Sequence, residues 1–230
     1  MENVPDLADV RTSHQECLDL LGRIKFNQRY LGHVLPITYF ASMLELTDSA
    51  IILLERDKLF DIYPIMRVIQ ELSVDLQNLA NDEGYFRCLL LDHEQNWKKL
   101  LQQAQSGNPY LSSLREAYEL NDLIAARSSE IRKIRGEGGS FLTVEEKFRR
   151  AGRIAEYKSV YRYQSMYAHT SLQSSISRHM VEIGSEIEFS MYKAPEISSK
   201  DTIRGSLDEF MKLSKAAIEE IFEVKITHPS

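Results

Sequence analysis

Apolar residues recur every three or four positions along most of the chain, and few helix-breaking residues interrupt them. In the last such segment, Ile203, Leu207, Phe210 and Met211 begin an apolar stripe that continues to Phe222. This spacing places the apolar side chains on one face of a helix. The 230 residues include only 10 Gly and 6 Pro, so the uninterrupted segments are long. The sequence therefore predicts an all-α bundle of about seven helices.

One segment departs from the helical period. Between positions 180 and 193, apolar and polar residues roughly alternate around Gly184 and Ser185, as they do in a β-hairpin. No internal repeat or low-complexity tract in the sequence marks a second domain. We therefore expect a single helical domain over residues 1–230, with a core over 35–224 and a small hairpin near 180–193.

The sequence lacks the usual motifs of metal and nucleotide chemistry. His93 and Glu94 begin an HExxH-like pattern that has no second histidine, and the glycine-rich loop at 136–140 lacks phosphate-binding spacing. Cys17 and Cys88 are far apart and form no CxxC pair. We therefore expect no metal and no other cofactor.

The same features predict a cytoplasmic protein. The first ten residues are acidic and lack the apolar core of a secretion signal. No run approaches the roughly 20 apolar residues that cross a bilayer. Two isolated cysteines suit a reducing compartment. We expect a cytoplasmic location and no membrane partner.

Charge is unevenly distributed along the chain. The net charge of −6 argues against nucleic-acid binding through overall charge. Residues 127–162 nevertheless carry ten basic and five acidic side chains, a local balance of +5. This segment is either a solvated helix face or a guide for an RNA backbone. The candidate backbone contacts are Lys147, Arg149, Arg150, Arg153 and Lys158.

Two polar features stand out against the helical background. In YPIMRVIQELSVDL, Arg67 and Glu71 are four positions apart and can pair on one turn of helix. In YRYQSMYAHTS, Arg162 and His169 are seven positions apart, within a helix predicted over 154–177. At that spacing the two side chains differ by only about 20° around the helix. Each feature is either a structural contact or part of a site.

These features resemble two groups of helical proteins. Arg162 and His169 fit the R-x(4–6)-H signature of the HEPN superfamily. The chain also resembles a bacterial family catalogued as a domain of unknown function. That family has an R-x-x-x-E helix, matched by Arg67 and Glu71, and a Tyr-rich segment ending in S-x-x-x-H, matched by Ser165 and His169.

The resemblance covers residues 35–180 and implies an activity. Many HEPN proteins are metal-independent endoribonucleases that act as dimers, often as toxins or in defence against phage, and the Arg and His of the motif carry the reaction. By this resemblance His169 is the general acid or base and Arg162 is the phosphate clamp. One departure is Tyr163, which stands where the superfamily usually has a polar residue. Some members are inactive and serve as binding modules.

The residue types also suit RNA cleavage on chemical grounds. RNA carries its own nucleophile, the 2′-hydroxyl; histidine transfers protons near neutral pH, and arginine binds phosphate through two donors. We expect Ser165 to support the site by hydrogen bonding. We expect Arg67 and Glu71 to position it, and the rings of Tyr161 and Tyr163 to stack on bases.

The predicted partners follow from this chemistry. A homodimer would bring two arginines and two histidines into one cleft, as a two-fold axis does. RNA and an antitoxin-like protein are the other expected partners. Two alternatives stay open: a non-catalytic helical module that binds a protein partner in a defence or stress system, and an antitoxin-like or ligand-sensing protein.

Overall fold

The computed structural model describes residues 7–169, 171–191 and 197–223. Helices account for 78% of these residues, which confirms the all-α prediction. Ten helices lie within the described ranges, more than the predicted number of about seven. They are α1 (Ala8–Arg23), α2 (Leu31–Glu55), α3 (Leu59–Asn81), α4 (Phe86–Gln105), α5 (Ser112–Ala117), α6 (Leu120–Gly136), α7 (Val144–Arg150), α8 (154–168), α9 (Leu172–His179) and α10 (Ile197–Ile221).

The additional helices arise from breaks that the apolar pattern does not mark. After a short 3₁₀ turn at Pro109–Leu111, the apolar pattern continues without a marked break, but the residues from 112 to 136 form two helices, α5 and α6. The division falls at Tyr118, whose backbone is extended, with φ −140° and ψ 148°. One extended residue is enough to end a helix and start another at a new angle.

The helix predicted over 154–177 is too long. The backbone of His169 is extended, with φ −102° and ψ 147°, so α8 stops just before it. Ser171 then caps α9, because its hydroxyl accepts a hydrogen bond from the N–H of Ser174 at 3.1 Å. Arg162 and His169 therefore do not lie on one continuous helix, and the expected angular relation between them does not hold.

The described residues pack as two compact units. The first comprises the described residues within 1–81 and 147–230, and the second comprises residues 82–146. In the first unit, α3 packs against α2, α8 and α10, and α1 packs against α2 and α10. Phe40, Met66 and Leu207 are fully buried in its core. The central position of α3 gives its polar side chains neighbours on several helices.

The second unit is built around α4 and α6. Leu91 packs against Ile131 and Ile134, which forms a small apolar cluster of its own. Glu94 accepts hydrogen bonds from Nη1 of Arg127 at 2.9 and 3.1 Å, so this basic residue of the 127–162 segment is paired.

The β-hairpin is confirmed. Strand β1 (Met180–Ile183) pairs antiparallel with strand β2 (Glu186–Phe189), with Val181 opposite Glu188. Gly184 in the turn has φ 65°, a left-handed conformation that glycine adopts without a steric penalty. Positions 192 and 193 of the predicted span lie outside the described residues.

Helix α2 meets the length and composition criteria for a membrane span. It has 25 residues and a mean hydropathy of 1.4, and it is the one helix in the described part of the chain that does so. Buried helices in the core of a folded protein meet the same criteria, and α2 has eight buried residues. This helix is therefore weak evidence for a membrane span.

A candidate active site around Arg67 and His169

The site begins with the ion pair on α3. Nε of Arg67 donates a hydrogen bond to Oε1 of Glu71 at 3.1 Å, as their spacing on one turn of helix predicts. The two side chains are 25% and 35% exposed. The pair is thus partly withdrawn from water, which strengthens its electrostatic attraction over that of a surface pair.

One wide turn in α8 faces this pair. Tyr157–Tyr161 form a π-helical turn between two α-helical stretches, Ile154–Glu156 and Arg162–Ala168. A π turn inserts one extra residue into the helix and often lies at a functional site. The rings of Tyr157 and Tyr161 stack with centroids 5.3 Å apart, and both contact the buried ring of Phe148. Packing against Phe148 thus accompanies the unusual turn.

The π turn brings Tyr161 onto the Arg67–Glu71 pair. Tyr161 is only 5% exposed. Its hydroxyl donates to Oε1 of Glu71 at 2.7 Å and accepts from Nε of Arg67 at 2.9 Å. The guanidinium carbon of Arg67 also lies 5.1 Å from the centre of the Tyr161 ring. Three side chains from two helices therefore share one hydrogen-bonded cluster.

The cluster has a defined charge state near neutral pH. Burial and the hydrogen bond to Glu71 raise the pKa of Tyr161 to about 12, so its hydroxyl keeps its proton. Burial opposes the charge of Arg67, but the hydrogen bond to Tyr161 and the charge of Glu71 outweigh burial and raise the pKa of the guanidinium. The cluster therefore holds a permanent cation in a fixed place.

His169 joins the cluster from the end of α8. Its Nε2 lies 2.6 Å from Nη1 of Arg67, although the two residues are 102 positions apart. A guanidinium can only donate, so Nε2 of His169 is the acceptor in this contact. The backbone N–H of His169 donates to the carbonyl oxygen of Ser165 at 3.3 Å. The side chain of His169 is exposed, so a substrate can reach it.

Arg67 and Arg162, the arginines of the two polar sequence features, occupy different environments. In the described part of the chain, the arginine that contacts His169 is Arg67. Arg162 is exposed on α8, and its guanidinium carbon lies 5.5 Å from the ring centre of Tyr157. The contact between Arg67 and His169 joins the R-x-x-x-E and S-x-x-x-H features in space.

Tyr163 belongs to a second aromatic group beside the cluster. Its ring lies 6.0 Å from that of Tyr63 and 4.9 Å from that of Tyr167, measured between centroids. Burial and a hydrogen bond with Tyr167 raise the pKa of Tyr163, so its phenol is neutral at physiological pH. Tyr163 is nonetheless 47% exposed, which leaves part of its ring open to a ligand.

The predicted RNA-backbone contacts divide into two groups. Lys147 pairs with Asp75 at 2.9 Å, and Arg153 makes two 2.7 Å bonds to Glu156 and one of 2.9 Å to Ser73. These two cations are engaged within the first unit, and the side chain of Arg153 is only 8% exposed. The three exposed candidates are Arg149, Arg150 and Lys158.

Sequence reasoning missed the buried polar face of α3. Gln70 and Ser73 are fully buried, and Nε2 of Gln70 donates to Oε1 of Glu156. The available signal was the presence of polar residues between the apolar positions of a central helix. These residues link α3 to the start of α8 and hold the two helices in register.

No three His, Cys, Asp or Glu side chains come together as a metal-binding group within residues 7–169, 171–191 and 197–223. The cluster instead places an exposed imidazole beside a fixed guanidinium. An imidazole can accept or donate a proton near neutral pH, and a guanidinium can bind a phosphate.

Comparison with known protein families gives a match over much of the chain. The profile of a family of unknown function, DUF5677, matches residues 33–187, a span that includes the whole cluster and both polar features. This agrees with the resemblance to a domain family of unknown function. No match was found among curated proteins or solved structures.

Proposed function

The chain belongs to the DUF5677 family, whose function is unknown, and we propose that it is a metal-independent endoribonuclease related to the HEPN superfamily. The observation that carries the proposal is the 2.6 Å contact between an exposed His169 and Arg67, whose guanidinium is itself held by Glu71 and Tyr161. A histidine that merely stabilised the fold would more often be buried.

His169 acts on the 2′-hydroxyl of RNA. Its Nε2 takes the proton while the 2′-oxygen attacks the adjacent phosphorus, and the bond to the 5′-oxygen of the next nucleotide breaks. The leaving 5′-oxygen receives a proton from a second acid, so the products are a 2′,3′-cyclic phosphate and a 5′-hydroxyl. No metal-activated water is needed, because the nucleophile belongs to the substrate.

Arg67 has two tasks in this scheme. In the free protein one of its N–H groups donates to Nε2 of His169. An incoming phosphate offers that N–H a charged acceptor, which forms a stronger hydrogen bond than a neutral imidazole does. The exchange frees Nε2 for the 2′-hydroxyl and places the guanidinium beside the reacting phosphate. Arg162 and Lys158, both exposed and one turn apart on α8, are the proposed ligands of neighbouring phosphates.

The proposed enzyme is a homodimer, because one histidine per chain cannot serve as both base and acid in the same step. Exposed apolar side chains follow His169 closely in the sequence, and burying them between two copies would bring the two histidines together. These side chains are Leu172, Ile176, Ile183, Ile187 and Phe189.

The proposed setting is the bacterial cytoplasm, in phage defence or a toxin–antitoxin pair with an antitoxin-like partner. Cys17 and Cys88 are free and buried, which is compatible with a reducing compartment.

The test is cleavage of mixed cellular RNA by the purified protein in EDTA. We expect cleavage that leaves 2′,3′-cyclic phosphate ends, no cleavage of DNA, loss of activity in His169→Ala and a strong reduction in Arg67→Lys. His93→Ala is the matched control, because His93 is also exposed but lies on α4 of the second unit. Intact RNA with the wild-type protein, alone or with its genomic neighbour, would overturn the proposal.

A second candidate function is a non-catalytic module that binds a protein partner. The exposed apolar side chains between Leu172 and Phe189 favour it, because such a surface suits a protein contact as well as self-association. In that case the wild type leaves RNA intact and His169→Ala lowers the melting temperature with no activity to lose.

A further inference from the structure

Two helices meet in the short segment that presents His169. Helix α8 ends at Ala168 and α9 begins at Leu172, and the extended backbone of His169 lies between them. Each helix end leaves backbone groups without a partner inside its own helix, namely carbonyl oxygens at the end of α8 and N–H groups at the start of α9. A residue that bonds to both sets of groups stabilises the break and thereby sets the position of His169.

The hydroxyl of Ser171 bonds to both helix ends. Its Oγ donates to the carbonyl oxygen of Met166, in the last turn of α8, at 2.8 Å. The same oxygen accepts from the N–H of Ser174, in the first turn of α9, at 3.1 Å. The backbone N–H of Ser171 also donates to the carbonyl oxygen of His169 at 2.7 Å. Ser171 thus holds the end of α8, the extended residue and the start of α9 together.

A continuous helix is the alternative to this break. The apolar and polar pattern of residues 154–177 predicts one, and on it the side chain of His169 would lie along that of Arg162. In that helix the carbonyl oxygen of Met166 would accept from a backbone N–H four positions later, without help from a hydroxyl. Serine is favoured at the start of a helix over its interior, because its hydroxyl bonds nearby backbone groups. Ser171 therefore favours the broken form over the continuous one.

The broken form is the one in which His169 reaches the cluster. Its Nε2 lies 2.6 Å from Nη1 of Arg67. We propose that Ser171 is a positioning residue for His169: its hydroxyl holds the break between α8 and α9 and thereby keeps the imidazole beside Arg67. The part of this role that concerns catalysis rests on the proposed ribonuclease function. The contact between the two side chains is measurable without RNA.

The first measurement is an NMR spectrum of the ring nitrogens of isotope-labelled histidine in the full chain. The signal of Nε2 of His169 is identified by its absence from His169→Ala, and Arg67→Ala gives its position when the contact is lost. In Ser171→Ala we expect the signal to move most of the way to that position. Ser171→Thr keeps a hydroxyl and suits a helix start, so its signal stays at the wild-type position. Ser171→Val has the shape of threonine without the hydroxyl and behaves like Ser171→Ala.

The second measurement is the steady-state cleavage of a short RNA. Ser171→Ala loses the two hydrogen bonds of the hydroxyl, so we expect kcat to fall by about tenfold, while KM changes by less than about twofold. Ser171→Thr retains kcat, and Ser171→Val does not. Ser49→Ala is the matched control, because the hydroxyl of Ser49 also donates to a carbonyl oxygen, that of Glu45 at 3.1 Å, but within a single helix. It changes neither the histidine spectrum nor kcat.

The two measurements separate the role of Ser171 from the proposed ribonuclease activity. If the wild type leaves RNA intact but the His169 signal moves in Ser171→Ala and not in Ser171→Thr, Ser171 still positions His169 and the ribonuclease proposal alone fails. The proposal for Ser171 is overturned if the signal stays at its wild-type position in both Ser171→Ala and Ser171→Val. It is also overturned if Ser171→Thr moves the signal as far as Ser171→Val does, or if the signal moves in both while an active wild type and these variants share the same kcat.

Discussion

Two arginine–glutamate pairs in the first unit have opposite relations to solvent. All three guanidinium nitrogens of Arg153 are hydrogen-bonded, two to Glu156 and one to Ser73, and its side chain is 8% exposed. Arg67 also bonds a glutamate, but it is 25% exposed and its Nη1 reaches the exposed ring of His169. The same two residue types thus fasten the fold at one position and present a reactive group at the other.

The surroundings account for this difference. The guanidinium carbon of Arg153 lies 5.6 Å from the ring centre of Phe210, a core residue of α10. Arg67 instead lies over Tyr161, and its remaining neighbour is a histidine at the end of a helix. A charged pair becomes part of a site when one of its hydrogen bonds can be exchanged for a bond to a substrate.

The largest expected effect is on stability, at the buried pair. Arg153→Ala removes the cation that faces Glu156, which is 22% exposed and keeps its hydrogen bond from Gln70. We therefore expect the free energy of unfolding to fall by about 3 kcal/mol, the lower end of the cost of breaking a buried pair. Urea denaturation measures the change. Arg132→Ala, at an exposed arginine of α6, is the control and changes stability by less than about 0.5 kcal/mol. Equal small changes in both variants would contradict the structural role of Arg153.

The next effect concerns Arg67, which contacts His169 in the free protein and the reacting phosphate in the proposed reaction. Arg67→Lys keeps the charge but loses the planar set of donors that binds the phosphate, so we expect kcat for RNA cleavage to fall by about 10²-fold, with a smaller change in KM. Added guanidinium ion should restore part of the activity of Arg67→Ala, which a purely structural defect would not allow. Steady-state kinetics on a short RNA, with circular dichroism to check folding, distinguishes the two roles.

The smallest effect is the pH dependence carried by Tyr161. Its pKa is raised to about 12 in the folded protein from an ordinary value of about 10. The protonated phenol therefore stabilises the fold fully below pH 10, and this contribution disappears as the pH rises through 12. At neutral pH, Tyr161→Phe loses about 0.5–1.5 kcal/mol, since the hydrogen bond to Glu71 is gone.

The difference in unfolding free energy between the wild type and Tyr161→Phe should consequently shrink between pH 10 and 12. Tyr157→Phe, at the tyrosine that stacks on Tyr161, controls for the loss of a hydroxyl. A difference that stays constant over this range would show that Tyr161 is not held in its protonated form by Glu71.

Much of the fold was predictable because it rests on local patterns. The helical period identified the fold class, and the alternation around Gly184 and Ser185 identified the hairpin. A serine or threonine followed by a glutamate three positions later marks a helix start. Thr143 and Glu146 form this capping box, with the carboxylate 2.7 Å from the N–H of Thr143. These features depend on residues a few positions apart.

The break at His169 and the π turn before it were not predictable in the same way. The apolar and polar pattern continues across both, and the turn is accompanied by packing of Tyr157 and Tyr161 on Phe148. A helical wheel assumes constant geometry, so it paired His169 with Arg162. Tertiary packing instead brings His169 to an arginine 102 positions away.

The central claim is that the contact between Arg67 and His169 serves chemistry rather than packing. The direct measurement is the single-turnover rate of RNA cleavage in EDTA for the wild type and His169→Ala, with the unfolding free energy of each taken on the same preparations. We expect a rate loss of about 10²–10⁴-fold in His169→Ala with a stability change within about 1 kcal/mol. An unchanged rate, or no cleavage by the wild type together with a large loss of stability in His169→Ala, would contradict it.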